Sequence, residues 1–301
     1  MEDARQFPYR LKSVRVSLPT RMIFELALGI GITIIVLAFL AEYVDSTLGM
    51  GYGTILSPLF LIMGFKPLQI VPPILLSELI TGLLAAFAHH HVGNVNFKPK
   101  SSNVFFIAKK IKELGYKESF KRGIPLHLKI ALLLAVCSIV GTITAVFIAI
   151  KIPSLWLNIY IGFLVLTMGI VILLRSNKKH DFSWKKVFGL GLIASFNKGI
   201  SGGGYGPVVM SGQILSGVKG KNAVGITSLA EGLTCFVGVV VYLLTKQIID
   251  WRLAPYLIVG AVLSVPLSAI TVKKAKDQTL TIVIGVATII LGITTLLKVL
   301  L

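Results

Sequence analysis

One stretch near residue 200 places a lysine and a run of glycines between strongly apolar segments. Residues 195–207 read SFNKGISGGGYGP. A lysine at the centre of a membrane helix costs about 2.5–3.5 kcal/mol on insertion scales, and glycine and proline interrupt a regular helix. Non-helical backbone is tolerated at membrane depth only where protein covers it or where it lines a watery cavity. The stretch therefore indicates a functional site rather than an ordinary span.

A related stretch lies near the start of the chain, where residues 42–53 read EYVDSTLGMGYG. Aligning residues 51–53 with residues 204–206, both Gly-Tyr-Gly, gives an offset of 204 − 51 = 153. Matches at one ungapped offset predict an internal duplication, and transporters built from repeats bind their substrates near the interface between the repeats. The same offset pairs Glu78 with Glu231, and Asp45 with Lys198.

The composition is that of a membrane protein. Of 301 residues, 55 % are hydrophobic and only 14 % are charged, and repeated apolar runs of about twenty residues predict membrane-spanning helices. The net charge of +18 does not indicate nucleic-acid binding, because the basic residues flank apolar runs, as membrane orientation requires. We therefore predict an all-α, polytopic protein of the cell membrane, with the lipid bilayer as its surroundings. A homo-oligomer is compatible with the sequence.

We predict about eight transmembrane helices and two short glycine-interrupted segments, arranged in two pseudo-symmetric halves. The predicted domains are a basic N-terminal segment (1–21), a first repeat (22–174) with a basic insertion (93–129), a basic hinge (175–186) and a second repeat (187–301). The predicted spans are 22–44, 68–88, 130–150, 156–174, 187–198, 223–245, 253–272 and 280–297, and the short segments are 54–63 and 207–215.

The topology has two solutions. If the short segments are re-entrant, eight helices cross and both termini are cytoplasmic, which suits the positive-inside rule and is the solution that we favour. If the short segments cross, each half has five crossings, the halves are inverted and the basic N-terminus lies outside.

The glycine-rich breaks predict an anion site. Each break exposes the N-terminus of the following short helix, where free N–H groups and the helix dipole attract negative charge. A lysine, hydroxyls and phenols at matching places add further donors. The predicted substrate-binding residues are Lys198, Ser201, Gly203, Gly204, Tyr205, Ser46, Gly51 and Tyr52. Alternatively, the glycines serve close helix packing, Lys198 pairs structurally with Asp45, and the tyrosines anchor the chain at the membrane interface.

Acidic residues inside spans need a partner, a proton or a watery cavity. We predict that Asp45, Glu78 and Glu231 couple transport to protons, since a carboxyl can alternate between its neutral and ionised forms. The alternative is hydrogen bonding between helices by a neutral Glu. His89, His90 and His91 are consecutive, so on a helix they do not converge on one metal ion, and we expect them at the membrane interface.

At this point the chain resembles the TauE/SafE sulfite exporter-like family of integral membrane proteins. The residues that carry the resemblance are DSTLGMGYG at 45–53 with Pro58, GISGGGYGP at 199–207, and the positions of Glu78 and Glu231. The resemblance implies a permease that exports or moves small anions such as sulfite or organosulfonates. The basic insertion 93–129 departs from the family pattern, and we expect it to lie outside the shared transport core.

No phosphate loop, H-E-x-x-H motif, C-x-x-C motif or nucleophile elbow occurs in the sequence. We therefore predict neither an enzyme nor a cofactor, and transport driven by gradients or by a separate partner. Two rival hypotheses stay open. The first is a cation or metal transporter that uses the intramembrane carboxylates, and the second is a non-transporting membrane scaffold or an intramembrane enzyme.

Overall fold

The computed structural model describes residues 28–63, 65, 67–99, 123–149, 154–175, 182–201, 204–244 and 249–300. These residues form ten helices and no strand. The predicted N-terminal segment 1–21 and residues 100–122 of the predicted insertion lie outside the described residues. In chain order the helices are α1 (Leu28–Leu48), α2 (Tyr52–Ile62), α3 (Pro67–His91), α4 (Leu126–Ala149), α5 (Ser154–Arg175), α6 (Trp184–Ser201), α7 (Tyr205–Leu215), α8 (Gly220–Leu244), α9 (Ala254–Lys274) and α10 (Asp277–Leu300).

The offset of 153 also relates the ends of the helices. Helices α2 and α7 differ by 153 at both ends, and so do α3 and α8, while α1 and α6 end 153 residues apart. The register is lost after these helices, because residues 92–125 join α3 to α4 whereas only residues 245–253 join α8 to α9. This agreement supports the proposed duplication with an insertion in the first half.

Two helices continue further than the sequence predicted. The predicted spans ended at Val44 and Lys198, whereas α1 runs to Leu48 and α6 to Ser201. The predicted spans stopped three to four residues short of the glycine-rich breaks, whereas the helices continue up to them. Helix α1 is followed by Gly49 at φ 72° and α7 is preceded by Gly204 at φ 73°, a left-handed conformation that glycine adopts readily.

The first residues of the predicted insertion belong to the core. Asn94 and Val95 are both 3 % exposed, and the Val95 side chain packs in the same apolar cluster as Met50 and Tyr205. The expectation that residues 93–129 lie outside the transport core is therefore wrong at their start. The polarity of the segment hid this, because the Asn94 amide is buried through its hydrogen bonds to the protein.

Six of the described helices are long and apolar enough to cross a membrane. They are α1, α3, α4, α8, α9 and α10, and α5 contributes a shorter apolar segment, Val165–Leu174. Helix α6 carries three lysines in 18 residues, and α2 and α7 have only 11 residues each, a length of roughly 16 Å. The protein is therefore an all-helical, multi-pass membrane protein, and a count of eight crossings stays a prediction.

The helices pack in pairs at glycines. Helix α3 crosses α8, α1 packs on α9, α4 on α6 and α5 on α10. A Cβ atom at Gly82 of α3 would lie 2.8 Å from the backbone nitrogen of Gly232 on α8, and one at Gly260 of α9 would overlap the carbonyl oxygen of Ile35 on α1. Such close approach of backbones is how membrane helices associate where lipid and side chains are equally apolar.

Buried ionisable residues lie inside the bundle beside its apolar core, and many large apolar side chains are exposed on its outer surface. Exposed large side chains include Leu40, Phe163 and Leu263, whereas Glu78 and Lys198 are each 2 % exposed. This arrangement suits a lipid-facing surface, and it places the ionisable groups where protein and not lipid surrounds them.

Candidate functional site

Lys198 lies between two glutamates from two different helices, α3 and α8. It is in the last turn of α6, and its Nζ atom is 2.5 Å from Glu78 Oε2 on α3 and 2.8 Å from Glu231 Oε1 on α8. All three side chains are buried. The expected alternative partner, Asp45, forms no described ion pair with Lys198, and the lysine is bonded to Glu78 and Glu231 instead.

Sequence register brings the two glutamates together. Each occupies the twelfth position of a 25-residue helix, Glu78 in α3 and Glu231 in α8. The two helices cross beside these residues, because Gly82 of α3 meets Gly232 and the carbonyl of Ser228 on α8. The close crossing therefore positions both carboxyl groups around the single lysine.

Asp45 has a different role from its counterpart Lys198. Its Oδ1 atom accepts a hydrogen bond of 3.1 Å from the backbone N–H of Tyr52, the first residue of α2. The carboxylate thus lies at the N-terminus of α2, where one otherwise unpaired N–H group is satisfied and the helix dipole favours negative charge. The first of the two predicted anion positions is therefore taken by the protein's own carboxylate.

Glu42 is bonded to hydroxyl groups. Ser46 donates to Glu42 Oε1 at 2.5 Å, and the distance from Thr81 Oγ1 to Glu42 Oε2 is 3.0 Å. Glu42, Asp45 and Ser46 share one face of α1 because they are three and four residues apart. Ser46, which was predicted to bind substrate, donates a hydrogen bond to this carboxyl group.

The end of α1 is held by a buried histidine. His89 lies in the last turn of α3, at the end of the span as expected, and is 0 % exposed because protein surrounds it. Asn94 Nδ2 lies 2.8 Å from the carbonyl oxygen of Ala269, which can only accept, and 2.9 Å from His89 Nδ1. His89 Nδ1 is therefore an acceptor, and Nε2–H donates to the Ser46 carbonyl at 2.9 Å. A neutral imidazole thus satisfies one of the last carbonyls of α1.

The two glycine-rich breaks touch each other. A Cβ atom at Gly206 would lie 2.5 Å from the Gly49 carbonyl oxygen and 2.7 Å from Met50 Cα, and the Gly204 N–H donates to Thr54 Oγ1 at 3.3 Å. The glycines therefore allow close packing between the two halves. Gly51, in the first break, has φ 135°, a conformation that glycine adopts readily.

The remaining predicted residues take separate positions. Ser201 is the last residue of α6, and Gly203 lies outside the described residues. Tyr52 is 0 % and Tyr205 1 % exposed, so interfacial anchoring is wrong for both tyrosines. The Tyr52 hydroxyl is 2.8 Å from Ser77 Oγ, whereas the Tyr205 hydroxyl is buried beside the hydroxyls of Ser138 and Thr234.

A small polar cavity lies between the carboxyl groups of α1, α3 and α8. It has a volume of about 10 Å³ and is lined by Glu42, Asp45, Ser46, Glu78, Thr81, Gly82, Ser228 and Glu231. That volume has room for about one water molecule. One oxygen of Glu78, Oε1, is buried without a hydrogen-bond partner in the described part of the chain. The cavity therefore brings together the predicted coupling residues Asp45, Glu78 and Glu231. Glu42, Thr81 and Ser228 also line it.

Comparison with known proteins decides the family. The family model described as sulfite exporter TauE/SafE matches residues 34–100 and 118–295. The chain belongs to this family. The matched regions contain both breaks, Lys198 and all four carboxyl groups of the cavity.

A curated relative supports the same assignment. The chain is 25 % identical over 281 residues to the probable membrane transporter protein YtnM of Bacillus subtilis (strain 168), a match that covers 88 % of this chain and 83 % of the relative. Together with the six apolar helices, the family establishes a multi-pass membrane transporter of the cell membrane.

Proposed function

We propose that the protein is a secondary transporter for a small anion and that protonation of Glu78 or Glu231 accompanies anion binding. Sulfite and organosulfonates are the first substrates to test, because the family takes its name from sulfite export. The observation that carries the proposal is the position of Lys198 between Glu78 and Glu231.

Lys198 supplies the positive charge that an anion requires. It is the buried lysine among the side chains that the structure describes, and it lies in the last turn of α6, close to the second break. In the described arrangement Lys198 forms ion pairs with both Glu78 and Glu231. An anion can replace one of them only if that glutamate is neutralised, because an unpaired buried carboxylate is costly. The proposed binding step therefore takes up one proton with each anion.

The second break supplies further donors for an anion. Gly204, the residue before α7, provides no side-chain cap, and the first turn of α7 contains no acidic residue. At the matching place in the first half, Asp45 caps α2. Of the two short helices, α7 is thus the one whose N-terminus we propose to face the substrate, together with Lys198 and the hydroxyl of Tyr205.

The proposal is tested by thermal stabilisation of the purified protein. A ligand that binds the native state raises its stability by RT ln(1 + [L]/Kd). We expect sulfite or a sulfonate, but not chloride, to raise the melting temperature. Glu78→Gln imitates the protonated acid and leaves Lys198 with one partner, so it should strengthen the response at neutral pH.

A matched double variant isolates the lysine. Lys198→Met combined with Glu78→Gln keeps the net charge of the triad at −1, because it removes one positive and one negative charge. The double variant should lose the anion response that Glu78→Gln retains. Equal responses of the two variants would contradict an anion site at Lys198.

The four carboxyl groups around the cavity favour a second candidate function, transport of a cation. In that case Lys198→Met would leave transport intact, whereas Glu78→Gln and Glu231→Gln would abolish it. Flux of labelled sulfite and of monovalent and divalent cations into proteoliposomes, measured with the same variants, separates the two functions.

A further inference from the structure

We propose that Glu42 holds a proton in this structure and exchanges it with Glu78 through a water molecule in the polar cavity. The proposal rests on the proposed proton-linked transport for its purpose. The protonation of Glu42 itself is argued from hydrogen bonds and can be tested without a substrate.

Evidence for a protonated Glu42 comes first from Thr81, whose single hydroxyl proton faces two neighbouring oxygen atoms. Thr81 Oγ1 lies 3.0 Å from the Ser77 carbonyl oxygen and 3.0 Å from Glu42 Oε2. A hydroxyl has one proton, and a carbonyl oxygen can only accept. Both contacts are full hydrogen bonds if Thr81 donates to Ser77 and Glu42 donates to Thr81. Glu42 then carries its proton on Oε2, and Oε1 accepts from Ser46.

The surroundings of the other acids single out Glu42. Asp45 lies at the N-terminus of α2, and Glu78 and Glu231 share Lys198. Glu42 has only hydroxyl partners among its described contacts, and a buried ionised carboxylate without a cation is costly. Of the four carboxyl groups, Glu42 is thus the one whose neutral form its partners suit best.

No other charged group within the described chain compensates Glu42. Own-helix Asp45, Glu78 from α3 and Glu231 from α8 line the same cavity, while Lys198 from α6 is bonded to both glutamates. His89 is bonded to the Ser46 carbonyl, and Tyr52 from α2 to Ser77. The buried described residues of α9 and α10 include no acid, lysine, arginine or histidine.

The cavity supplies the route. Its volume of about 10 Å³ admits one water molecule, and the buried oxygen Glu78 Oε1 has no other described partner. In the step proposed, Glu42 gives its proton to this water while the water gives a proton to Glu78, so water is regenerated and one negative charge moves from Glu78 to Glu42. Thr81 then turns its hydroxyl to Glu42, and the neutral Glu78 weakens its hold on Lys198.

Infrared spectroscopy of the purified full chain in lipid tests the protonation directly. A protonated carboxyl group has a C=O stretch that an ionised carboxylate lacks. At neutral pH we expect such a band in the wild type and its loss in Glu42→Gln. The exposed Asp277 serves as the control, since Asp277→Asn should leave the band unchanged. A band of full intensity in Glu42→Gln would overturn the proposal.

Stability provides a second readout that does not depend on the band. Glutamine resembles a protonated glutamate, since it can donate to Thr81 and accept from Ser46. Glu42→Gln should therefore keep the wild-type melting temperature, whereas Glu231→Gln, which removes a partner of Lys198, should lower it. A Glu42→Gln protein that melts earlier or fails to fold would contradict a neutral Glu42.

Transport measurements test the exchange with Glu78. In proteoliposomes, Glu42→Gln should lose the acceleration of anion flux by a pH gradient. Retained acceleration would overturn the exchange step. If the wild type moved no anion while the infrared band still depended on Glu42, the proposed function would fail and the protonation of Glu42 would stand.

Discussion

The two glycine-rich breaks share a backbone plan and differ in their charges. In the first, Asp45 near the end of α1 accepts a hydrogen bond from the first N–H of α2. In the second, Lys198 stands at the matching place on α6 and turns to Glu78 and Glu231, while Gly204 leaves α7 without a side-chain cap. The same helix–break–helix unit thus caps the N-terminus of α2 with a carboxylate. It gives α7 no side-chain cap, and in our proposal the N-terminus of α7 faces the substrate.

This difference separates scaffold from chemistry. What the halves share is glycine and helix length, which bring the breaks into contact at Gly206 and Gly49. What they do not share is charge: Asp45 corresponds to Lys198, and Glu42 corresponds to Ser195 by the offset of 153. An internal duplication with identical charges would place like charges in one buried site, which is unfavourable. We infer that the charge differences make the junction of the halves usable for binding.

Loss of Lys198 should have the largest effect on this comparison. Lys198→Met leaves Glu78 and Glu231 buried without their cation, and removal of one partner of a buried ion pair costs about 3–5 kcal/mol. Chemical unfolding in lipid bicelles measures the loss. The exposed Lys219→Met is the control and should be neutral. Stability should return in the triple variant that also carries Glu78→Gln and Glu231→Gln, and unchanged stability of Lys198→Met would refute the ion-pair account.

Much of the fold follows from the sequence. The offset of 153 predicts the matched helices, and the apolar runs predict the spans to within a few residues. Even the buried face of α1 is readable, because Glu42, Asp45 and Ser46 recur at helical spacing. That spacing also indicated Glu42 as a site residue. On α8, Ser228 and Glu231 are three residues apart, and this spacing likewise indicated that both could line one cavity.

The partners of the charged residues do not follow from the sequence. Symmetry suggested that Lys198 faces Asp45, but the crossing of α3 and α8 at Gly82 brings Glu78 and Glu231 to the lysine instead. A crossing point depends on which of many glycines meet in space, and a single sequence does not specify that. The burial of His89 was hidden for the same reason, since its partner Ser46 lies on α1, and Asn94 beside it is bonded to Ala269 on α9.

Contact between the breaks predicts the next largest effect. A Cβ at Gly206 would meet the Gly49 carbonyl oxygen at 2.5 Å, and backbone cannot move aside as a flexible side chain does. Gly206→Val should therefore destabilise the protein by about 1–3 kcal/mol, as overpacking does elsewhere, and reduce transport. Gly189→Ala is the control, because nothing lies within 4 Å of its added Cβ. Equal behaviour of the two variants would show that the breaks separate readily.

The cap on α2 predicts a smaller effect with a diagnostic conservative variant. Asp45→Ala leaves the Tyr52 N–H without its acceptor, and loss of a capping side chain costs about 0.5–2 kcal/mol. Asp45→Asn keeps an acceptor oxygen and should retain most of the stability. The melting temperatures of the two variants check this. If Asn were as damaging as Ala, the charge of Asp45 and not its hydrogen bond would be what the first break requires.

Substitution of Ser195, the counterpart of Glu42, should have the smallest effect on stability. Its hydroxyl donates to the Gly191 carbonyl at 2.7 Å within its own helix, so Ser195→Ala should cost about 1 kcal/mol or less. The matching Glu42→Ala removes the partner of both Ser46 and Thr81 and should cost more. Unfolding midpoints of the two variants give the ratio. Because the positions share one register, a cost at Ser195 as large as that at Glu42 would mean that register, and not the carboxyl group, sets the importance of the position.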